Sequence, residues 1–356
     1  MQIINIGPFP PPYGGVSIHL MRLKHFLDEN HCDNIVIDVS SVYTPEKSAI
    51  GVKTCSFDKK MILRLFLRKK SILHFHNFSI RLLLSFFLFS FRHTVILSFH
   101  NERFIAELKK KGKIAYRIFS SLLNRIPCII VDSSKCADLA GRLIKNKDKI
   151  YLIPEFIPPQ SIPPLNRPAI IDLRKNHKFL VSSNAFKISF NKNEDLYGID
   201  LLVEVLHLLH HNHGLDIAIA FLLPSIGDET YFLKLKRQIN EYRLENRFLF
   251  ITEPLEEASS LWKISDMVIR ATNTDGNSIT VLEALTMGIP IIASDCVERP
   301  EGAILFKTRD VLDLERKVLQ VIENPGVYKN KIDSVKIDSY AWKILSLYQS
   351  LQDGKR

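Results

Sequence analysis

The chain has 356 residues, of which 46% are hydrophobic and 24% are charged. This length exceeds what a single hydrophobic core usually supports, and the composition excludes a disordered chain, so we expect two globular domains. The five cysteines are odd in number and none are spaced as Cys-x-x-Cys. A disulfide framework or a structural zinc is therefore not expected, which favours a reducing, cytoplasmic compartment. The first residues enter an apolar strand without a basic segment, so no secretory signal is expected.

The net charge of +10 is concentrated in the first half of the chain. Residues 1–160 carry 24 Lys and Arg against 12 Asp and Glu, whereas the remainder has a net charge of −2. This asymmetry favours an anionic partner, with a solvated basic face as the alternative. Two apolar stretches with flanking cations, residues 61–70 and 81–92, are too short to span a bilayer and suit either a lipid interface or a buried helix. Neither stretch is accompanied by a recognisable nucleic-acid-binding motif.

Apolar runs and amphipathic segments alternate along the chain. In the first half we predict strands at residues 2–7, 34–40, 71–77, 94–100 and 128–132, and helices at 16–28, 81–91, 113–124 and 135–143. In the second half we predict strands at 178–183, 216–223, 247–252, 267–271, 290–294 and 303–306, and helices near 199–211, 230–242, 255–264, 278–287 and 310–323. Strand–helix alternation predicts an α/β fold with parallel sheets covered on both faces.

Proline marks the boundary between the two halves. Six of the 17 prolines lie between Pro154 and Pro168, which predicts an extended connection. We expect an N-terminal Rossmann-like domain over 1–160 and a C-terminal Rossmann-like domain over 161–338. An amphipathic helix in 339–356 is expected to pack back toward the N-terminal domain. Two such sheets in tandem predict a cleft between their C-terminal strand edges.

The segment 270–295 carries the strongest functional signal. A strand ends near Ala271, a loop holds Asp275, and Asn277 or Ser278 suits the N-cap of the next helix. Free N–H groups and the helix dipole at such a start favour a diphosphate. Glu283 lies on this helix, where its carboxylate is positioned to accept hydrogen bonds from hydroxyl groups.

This segment resembles the retaining glycosyltransferase family 4, whose signature is an acidic residue, seven others and then Glu. Asp275 and Glu283 match it, with Asp in place of the usual Glu, and Gly288-Ile-Pro290 matches the turn that follows. The resemblance implies a GT-B fold and a metal-independent transfer from a nucleotide sugar, with a UDP-sugar as the expected donor. In that fold we expect the C-terminal domain to bind the nucleotide sugar and the N-terminal domain to lie on the acceptor side. It also implies that Asp275 lies by the transferred sugar and that Glu283 binds the ribose.

Two further segments match the same family. Gly14-Gly15 lies between a strand and a helix, where paired glycines let backbone approach a phosphate, and the resemblance implies that this loop faces the donor. It also implies that His100, at a strand end, contacts the donor sugar. The dehydrogenase pattern Gly-x-Gly-x-x-Gly is absent.

The family carries an Arg and a Lys that neutralise the leaving phosphate, and this chain departs from both. Lys187 stands near the Arg position, and Tyr197 precedes Gly198 where Lys is expected. Lys192 is a candidate for the second charge, although a lysine binds phosphate less directionally than an arginine. The segments 270–275 and 297–306 resemble a subgroup found among bacterial surface-polysaccharide enzymes, with Arg270, Arg299 and Glu301 as expected lining of the donor pocket.

We therefore predict catalytic roles for Lys187, Asp275 and His100, with no metal and no cofactor besides the donor substrate. The predicted donor-binding residues are Gly14, Gly15, Lys192, Tyr197, Arg270, Asn277, Ser278 and Glu283. His74 and His76 alternate on one strand without a third ligand, so we interpret them as structural or acceptor-side. The expected acceptor is a saccharide on a lipid pyrophosphate, at the inner face of the membrane. The alternatives are a non-catalytic partner of the same fold, for which Tyr197 is the argument, and a nucleotide-sugar epimerase.

Overall fold

A computed structural model describes residues 1–11, 13–40, 42–56, 58–76, 83–100, 112–276, 278–333 and 339–353. The chain forms two compact units. The first comprises Met1–Gln160 together with Ser339–Arg356, and the second comprises Ser161–Asp338. Each unit is an α/β layer structure built on one parallel sheet.

The first unit contains seven parallel strands in the order β3-β2-β1-β4-β5-β6-β7. They are β1 (Ile3–Gly7), β2 (Asn34–Asp38), β3 (Val52–Thr54), β4 (Ile72–Phe75), β5 (Thr94–Phe99), β6 (Cys128–Val131) and β7 (Ile150–Leu152). Its helices before the connection are α1 (Gly15–Glu29), α2 (Pro45–Ala49), α3 (Lys59–Leu67), α4 (Leu83–Phe89), α5 (Lys113–Leu123) and α6 (Ser134–Gly141). The central strands are buried along their whole length because helices cover both faces of the sheet.

The second unit contains six parallel strands in the order β12-β11-β8-β13-β14-β15 and a small hairpin. The strands are β8 (Phe179–Asn184), β11 (Ile217–Leu222), β12 (Phe248–Ile251), β13 (Met267–Arg270), β14 (Ile291–Ser294) and β15 (Ile304–Phe306), and the hairpin is β9 (Phe190–Asn191) with β10 (Glu194–Asp195). The helices are α7 (Pro168–Asn176), α8 (Ile199–His211), α9 (Glu229–Glu241), α10 (Ser259–Trp262), α11 (Ile279–Thr286), α12 (Val311–Glu323) and α13 (Pro325–Asp333).

The last helix, α14 (Ala341–Gln352), packs within the first unit. Tyr348 is fully buried, and its hydroxyl lies 2.5 Å from Nδ1 of His74 and 3.2 Å from Oδ1 of Asn5. The ring of Trp342 packs edge-on against Phe26 of α1. The helix is therefore fixed to the sheet by both apolar and polar contacts.

The basic apolar stretches predicted from the sequence form α3 and α4, which contact each other on one face of the first sheet, and α4 also contacts α5. Their inner residues, among them Leu65 and Phe86, belong to a core cluster. Residues 81 and 82, at the start of the second stretch, lie outside the described part of the chain. Across the described helices, none is both long and apolar enough to cross a bilayer.

Candidate functional site

The carboxyl ends of three neighbouring strands in the second unit bring polar side chains together. Asn184 ends β8, Arg270 ends β13 and Ser294 ends β14, and these strands are adjacent in the sheet. In open α/β sheets this edge is where ligands bind. The sequence prediction included Arg270 but missed Asn184 and Ser294, although a polar residue that ends an apolar strand is a recognisable signal.

Asp275 is the centre of the polar network at this edge. Arg270 donates from Nε to Oδ2 at 3.0 Å and from Nη2 to Oδ1 at 3.1 Å, which is a bidentate pair. Arg299 donates from Nη1 to Oδ2 of Asp275 at 3.0 Å and from Nη2 to the hydroxyl of Thr272 at 3.1 Å. Two guanidinium groups thus share one carboxylate, and the network carries a net positive charge.

Burial and the neighbouring charges shift the pKa of Asp275 in opposite directions. Its side chain is 10% exposed, and burial alone raises the pKa of the carboxyl. The two guanidinium groups outweigh that effect, so the pKa of Asp275 lies below its ordinary value. The carboxylate is therefore ionised near neutral pH and holds both arginines in place. Its predicted contact with the transferred sugar stays a prediction.

The start of α11 presents an unpartnered hydroxyl at the same edge. Ser278 is the N-cap, yet its side chain makes no capping hydrogen bond, and its Oγ is buried without a partner among the described residues. Ser278 itself is 9% exposed. Thr280, in the first turn, donates to Oδ1 of Asn184 at 3.0 Å and so ties the helix start to the end of β8. Asn277, predicted to bind the donor, lies outside the described residues.

The side chain of Glu283 is more deeply buried than the predicted contact with a ribose suggests. It is 3% exposed, and Oε2 accepts a hydrogen bond from the indole Nε1 of Trp262 at 2.7 Å. The contact joins α11 to α10. No local sequence pattern indicated Trp262 as a partner, and the predicted role of Glu283 at the ribose stays a prediction.

Tyr197 is held at this site by a tight approach between backbone segments. The next residue, Gly198, has φ +67°, and a Cβ there would lie 2.4 Å from the carbonyl oxygen of Ala271. The turn before α8 consequently lies directly against the end of β13. The Arg270 guanidinium carbon lies 5.3 Å from the centroid of the Tyr197 ring, within the range of a cation–π contact.

The predicted lysines occupy exposed positions nearby in the chain. Lys187 is exposed in the loop between β8 and β9. Lys192 and Asn193 form the two-residue turn of the β9–β10 hairpin, with φ of +52° and +65°. Neither lysine forms an ion pair with a described residue. Glu301, expected to line the pocket, is also exposed.

The predicted site residues of the first unit lie at the start of α1 and at the end of β5. Gly14 is the N-cap of α1, exposed and extended at φ −153°, and Gly15 begins the helix. The imidazole of His100 follows β5, is 6% exposed and lies against the carboxylate of Glu155. Gly14, Gly15 and His100 therefore belong to the first unit, whereas the network around Asp275 belongs to the second.

His100 belongs to a buried cluster of four histidines. The ring centroids of His74 and His76 lie 3.9 Å apart, and His19 lies 5.3 Å from His76 and 5.7 Å from His100. Burial, together with repulsion from His100, lowers the pKa of His19 to about 4. Burial also lowers the pKa of His74 and His76 well below the ordinary value. His19, His74 and His76 are therefore neutral near pH 7.

These lowered pKa values predict that acid destabilises the first unit. Between pH 6.5 and 4 the unfolded chain protonates His19 while the folded chain keeps it neutral, so stability falls as pH decreases through this window. From pH 7.5 to pH 5 we expect His19 alone to lower the free energy of unfolding by about 2 kcal/mol. The measurement is urea unfolding followed by Trp342 fluorescence in a Trp262→Phe background, which leaves one tryptophan in the first unit.

The control for this prediction is a second histidine of the same helix. His19→Gln is expected to reduce the acid-induced loss by about 2 kcal/mol, whereas His25→Gln, at an exposed position, leaves it unchanged. An equal loss in His19→Gln and in the parent protein would contradict the lowered pKa of His19.

Within the described residues, no group of three or more His, Cys, Asp or Glu side chains has the arrangement of a metal site. His74 bridges the hydroxyls of Tyr348 and Ser98 at 2.5 and 2.7 Å, and His76 lies 3.0 Å from Oδ1 of Asn5. Both rings thus take part in hydrogen bonds inside the unit.

Comparison with known proteins gives matches of three kinds. Residues 174–337 match the family described as "Glycosyl transferases group 1". The N-acetyl-alpha-D-glucosaminyl L-malate synthase of Bacillus anthracis is 18% identical over 203 residues, which are 51% of this chain and 53% of that protein. The chain thus spans about half the length of this curated relative.

Two solved structures resemble nearly the whole chain. The glycosyltransferase from Rickettsia africae has a TM-score of 0.70 at 15% identity and covers 99% of this chain and 98% of its own. HepE of Anabaena, solved in complex with UDP, has a TM-score of 0.68 at 16% identity and covers 99% of both chains. These matches confirm the predicted fold of two parallel-sheet α/β domains. The group 1 match lies within the second unit.

Proposed function

We propose that the protein transfers a sugar from a UDP-sugar to a saccharide acceptor. The observation that carries this proposal is the buried hydroxyl of Ser278 at the start of α11, which has no partner among the described residues and lies beside a network with a net positive charge. A diphosphate supplies the acceptor oxygens that such a hydroxyl, the free N–H groups and the helix dipole require. The group 1 match covers this segment, and HepE has been solved with UDP and with UDP-glucose.

The reaction we propose needs stabilisation of charge on the leaving group. The bond between the sugar C1 and the diphosphate oxygen breaks, C1 bonds to the acceptor hydroxyl oxygen, and the hydroxyl proton passes to the departing diphosphate. The helix start and the side-chain cations supply the charge stabilisation, because fixed donors in a partly buried site cost no reorganisation. We extend the proposal to retention of configuration and to turnover without a divalent ion. Lys187, Asp275, His100 and the Gly14-Gly15 loop keep their predicted roles in it.

The outer face of the first unit supports a proposal for the acceptor and its location. On α3, α4 and α5 and their ends, the described residues of 59–125 include ten Lys and Arg and no Asp or Glu. Large apolar side chains are exposed among these cations: Leu63, Leu67, Leu88, Phe91 and Ile118, from 42% to 68% exposed. Apolar side chains set among cations suit an anionic lipid interface. We therefore propose a lipid-linked acceptor, in bacterial surface-polysaccharide synthesis, at the inner face of the membrane.

Ligand binding and turnover test the function in sequence. Saturating UDP is expected to raise the melting temperature of the parent protein, because a ligand that binds only the folded state stabilises it. Ser278→Ala removes a hydroxyl without a described partner, so the unliganded melting temperature is expected to stay unchanged. Its UDP affinity is expected to fall about three- to tenfold. Full UDP affinity in Ser278→Ala would contradict the site.

Turnover separates the proposed enzyme from the alternatives. With UDP-glucose and UDP-N-acetylglucosamine as donors, release of UDP is expected only when a lipid-linked saccharide extract is added. Interconversion of the nucleotide sugar without that extract would indicate an epimerase. UDP binding without turnover of any tested donor would indicate a non-catalytic partner. Activity that survives EDTA is expected, and a strict requirement for a divalent ion would contradict that part of the proposal.

Sedimentation with lipid vesicles tests the membrane surface. The protein is expected to sediment with vesicles containing phosphatidylglycerol, less so at high salt. Arg64→Gln together with Arg117→Gln is expected to weaken binding about 30-fold, because each cation near an anionic surface contributes about 1 kcal/mol. Lys236→Gln with Arg237→Gln, two exposed cations of the second unit, is the control. Equal sedimentation of all three proteins would contradict this surface.

A further inference from the structure

Arg270 and Arg299 both donate hydrogen bonds to Asp275. They differ in how many of their other N–H groups are already engaged in hydrogen bonds. Arg299 is 2% exposed, and it donates from Nε to the Ser294 carbonyl at 3.1 Å, from Nη1 to Asp275 and from Nη2 to Thr272. Arg270 is 12% exposed, and apart from its bidentate pair its Nη1 makes only long contacts with Asn184, at 3.3 and 3.5 Å. A guanidinium carries five N–H donors, so Arg270 retains capacity for an anion.

Contacts through Asn184 link Arg270 to the start of α11. Asn184, which Nη1 contacts, also accepts the hydrogen bond of Thr280 in the first turn of the helix. On another side, the ring of Tyr197 lies against the guanidinium, and Asp275 fixes its Nε and Nη2. Tyr197 and Asp275 thus hold Arg270 on two sides. A single residue, Asn184, connects it to the helix that Ser278 caps.

We propose that Arg270 is a further cation, in addition to the predicted Lys187, that binds the β-phosphate of the nucleotide and stabilises it as it leaves, and that Asp275 and Tyr197 hold its guanidinium in position. This assignment rests on the proposed function. Arg270 donates hydrogen bonds to the phosphate and exchanges no proton, so the bond changes are those of the transfer itself. Position 197 then requires a flat neutral ring, because a second cation there would repel the guanidinium.

The comparison of UDP with UMP tests the assignment without knowledge of the donor sugar. UMP lacks the β-phosphate, so the ratio of the two dissociation constants reports contacts to that group. Calorimetry is expected to show that the parent protein prefers UDP, and that Arg270→Ala reduces this preference tenfold or more while its UMP affinity stays within twofold. A loss that is only structural would weaken both nucleotides together, and that result would overturn the assignment.

A second experiment moves the positive charge from position 270 to position 197. Tyr197→Lys in the Arg270→Ala background places an ammonium beside the vacated space and is expected to restore at least a third of the lost UDP preference. Tyr197→Lys alone is expected to lower it. The control is Arg174→Ala, which removes an ion pair with Asp266, the residue before β13 and hence at the opposite edge of the sheet. Its preference for UDP is expected to stay unchanged.

The outcomes separate this assignment from the proposed function. A parent protein that binds neither UDP nor UMP would overturn the proposed function and the assignment with it. A parent protein that prefers UDP, with an equal preference in folded Arg270→Ala, would overturn the assignment alone. Reduced preference in Arg270→Ala that Tyr197→Lys restores would support both.

Discussion

Gly198→Ala is expected to destabilise the second unit by about 3 kcal/mol or more. The left-handed φ of +67° costs an alanine about 1–3 kcal/mol. The added Cβ would also lie 2.4 Å from the Ala271 oxygen and 2.9 Å from the Ala271 Cβ, and overpacking of this kind costs about 1–3 kcal/mol more. Because the contact lies between the turn before α8 and the end of β13, the variant is also expected to displace Tyr197 from Arg270 and to weaken UDP binding.

A second glycine separates the cost of the left-handed backbone conformation from the cost of the steric contact with Ala271. Gly214 follows α8 with φ +62°, but a Cβ there would meet nothing within 4 Å. Gly214→Ala is therefore expected to cost only about 1 kcal/mol and to leave UDP affinity unchanged. Urea unfolding of both variants is the measurement. Equal losses of stability in the two would show that the approach to Ala271 contributes nothing.

Asp275→Asn is expected to destabilise the second unit by about 3 kcal/mol, although asparagine has the same shape. The substitution leaves the guanidinium groups of Arg270 and Arg299, 12% and 2% exposed, without a compensating charge. Removing one partner of a buried ion pair costs about 3–5 kcal/mol. If Asp275 acted on the sugar alone, the variant would lose turnover at unchanged stability, and that result would contradict its role in holding the arginines.

The control for Asp275→Asn is an exposed ion pair of the same unit. Arg167 and Glu253 lie 3.1 Å apart with side chains 42% and 71% exposed. Solvent screens such a pair, so Glu253→Gln is expected to change the free energy of unfolding by less than about 1 kcal/mol. Chemical denaturation of the two variants at one pH and ionic strength makes the comparison.

The sequence predicted the fold well because buried parallel strands have a distinct pattern. The apolar runs at 2–7 and 128–132 correspond to β1 and β6, which are buried along their length. The short edge strands β3 and β7 were missed, since they are three residues long and partly exposed. Helix α7 was missed because it begins at Pro168, the last proline of the connection, where proline occupies the first helical turn.

The site was less predictable, because side-chain partners depend on contacts between distant segments. The position of Ser278 at the start of a helix follows from local chemistry, and the structure places it there. The two arginines on Asp275 come from positions 270 and 299, and no local pattern indicates that both meet one carboxylate. The hydrogen bond between Trp262 and Glu283 likewise joins two helices, and the helical spacing of Glu283 gave no sign of it.

A crystal structure of the protein with bound UDP tests the central claim most directly. We expect the β-phosphate at the start of α11, with one oxygen about 3 Å from the Oγ of Ser278 and another about 3 Å from a nitrogen of Arg270. UDP bound elsewhere on the protein, with the Ser278 hydroxyl still without a partner, would contradict the account.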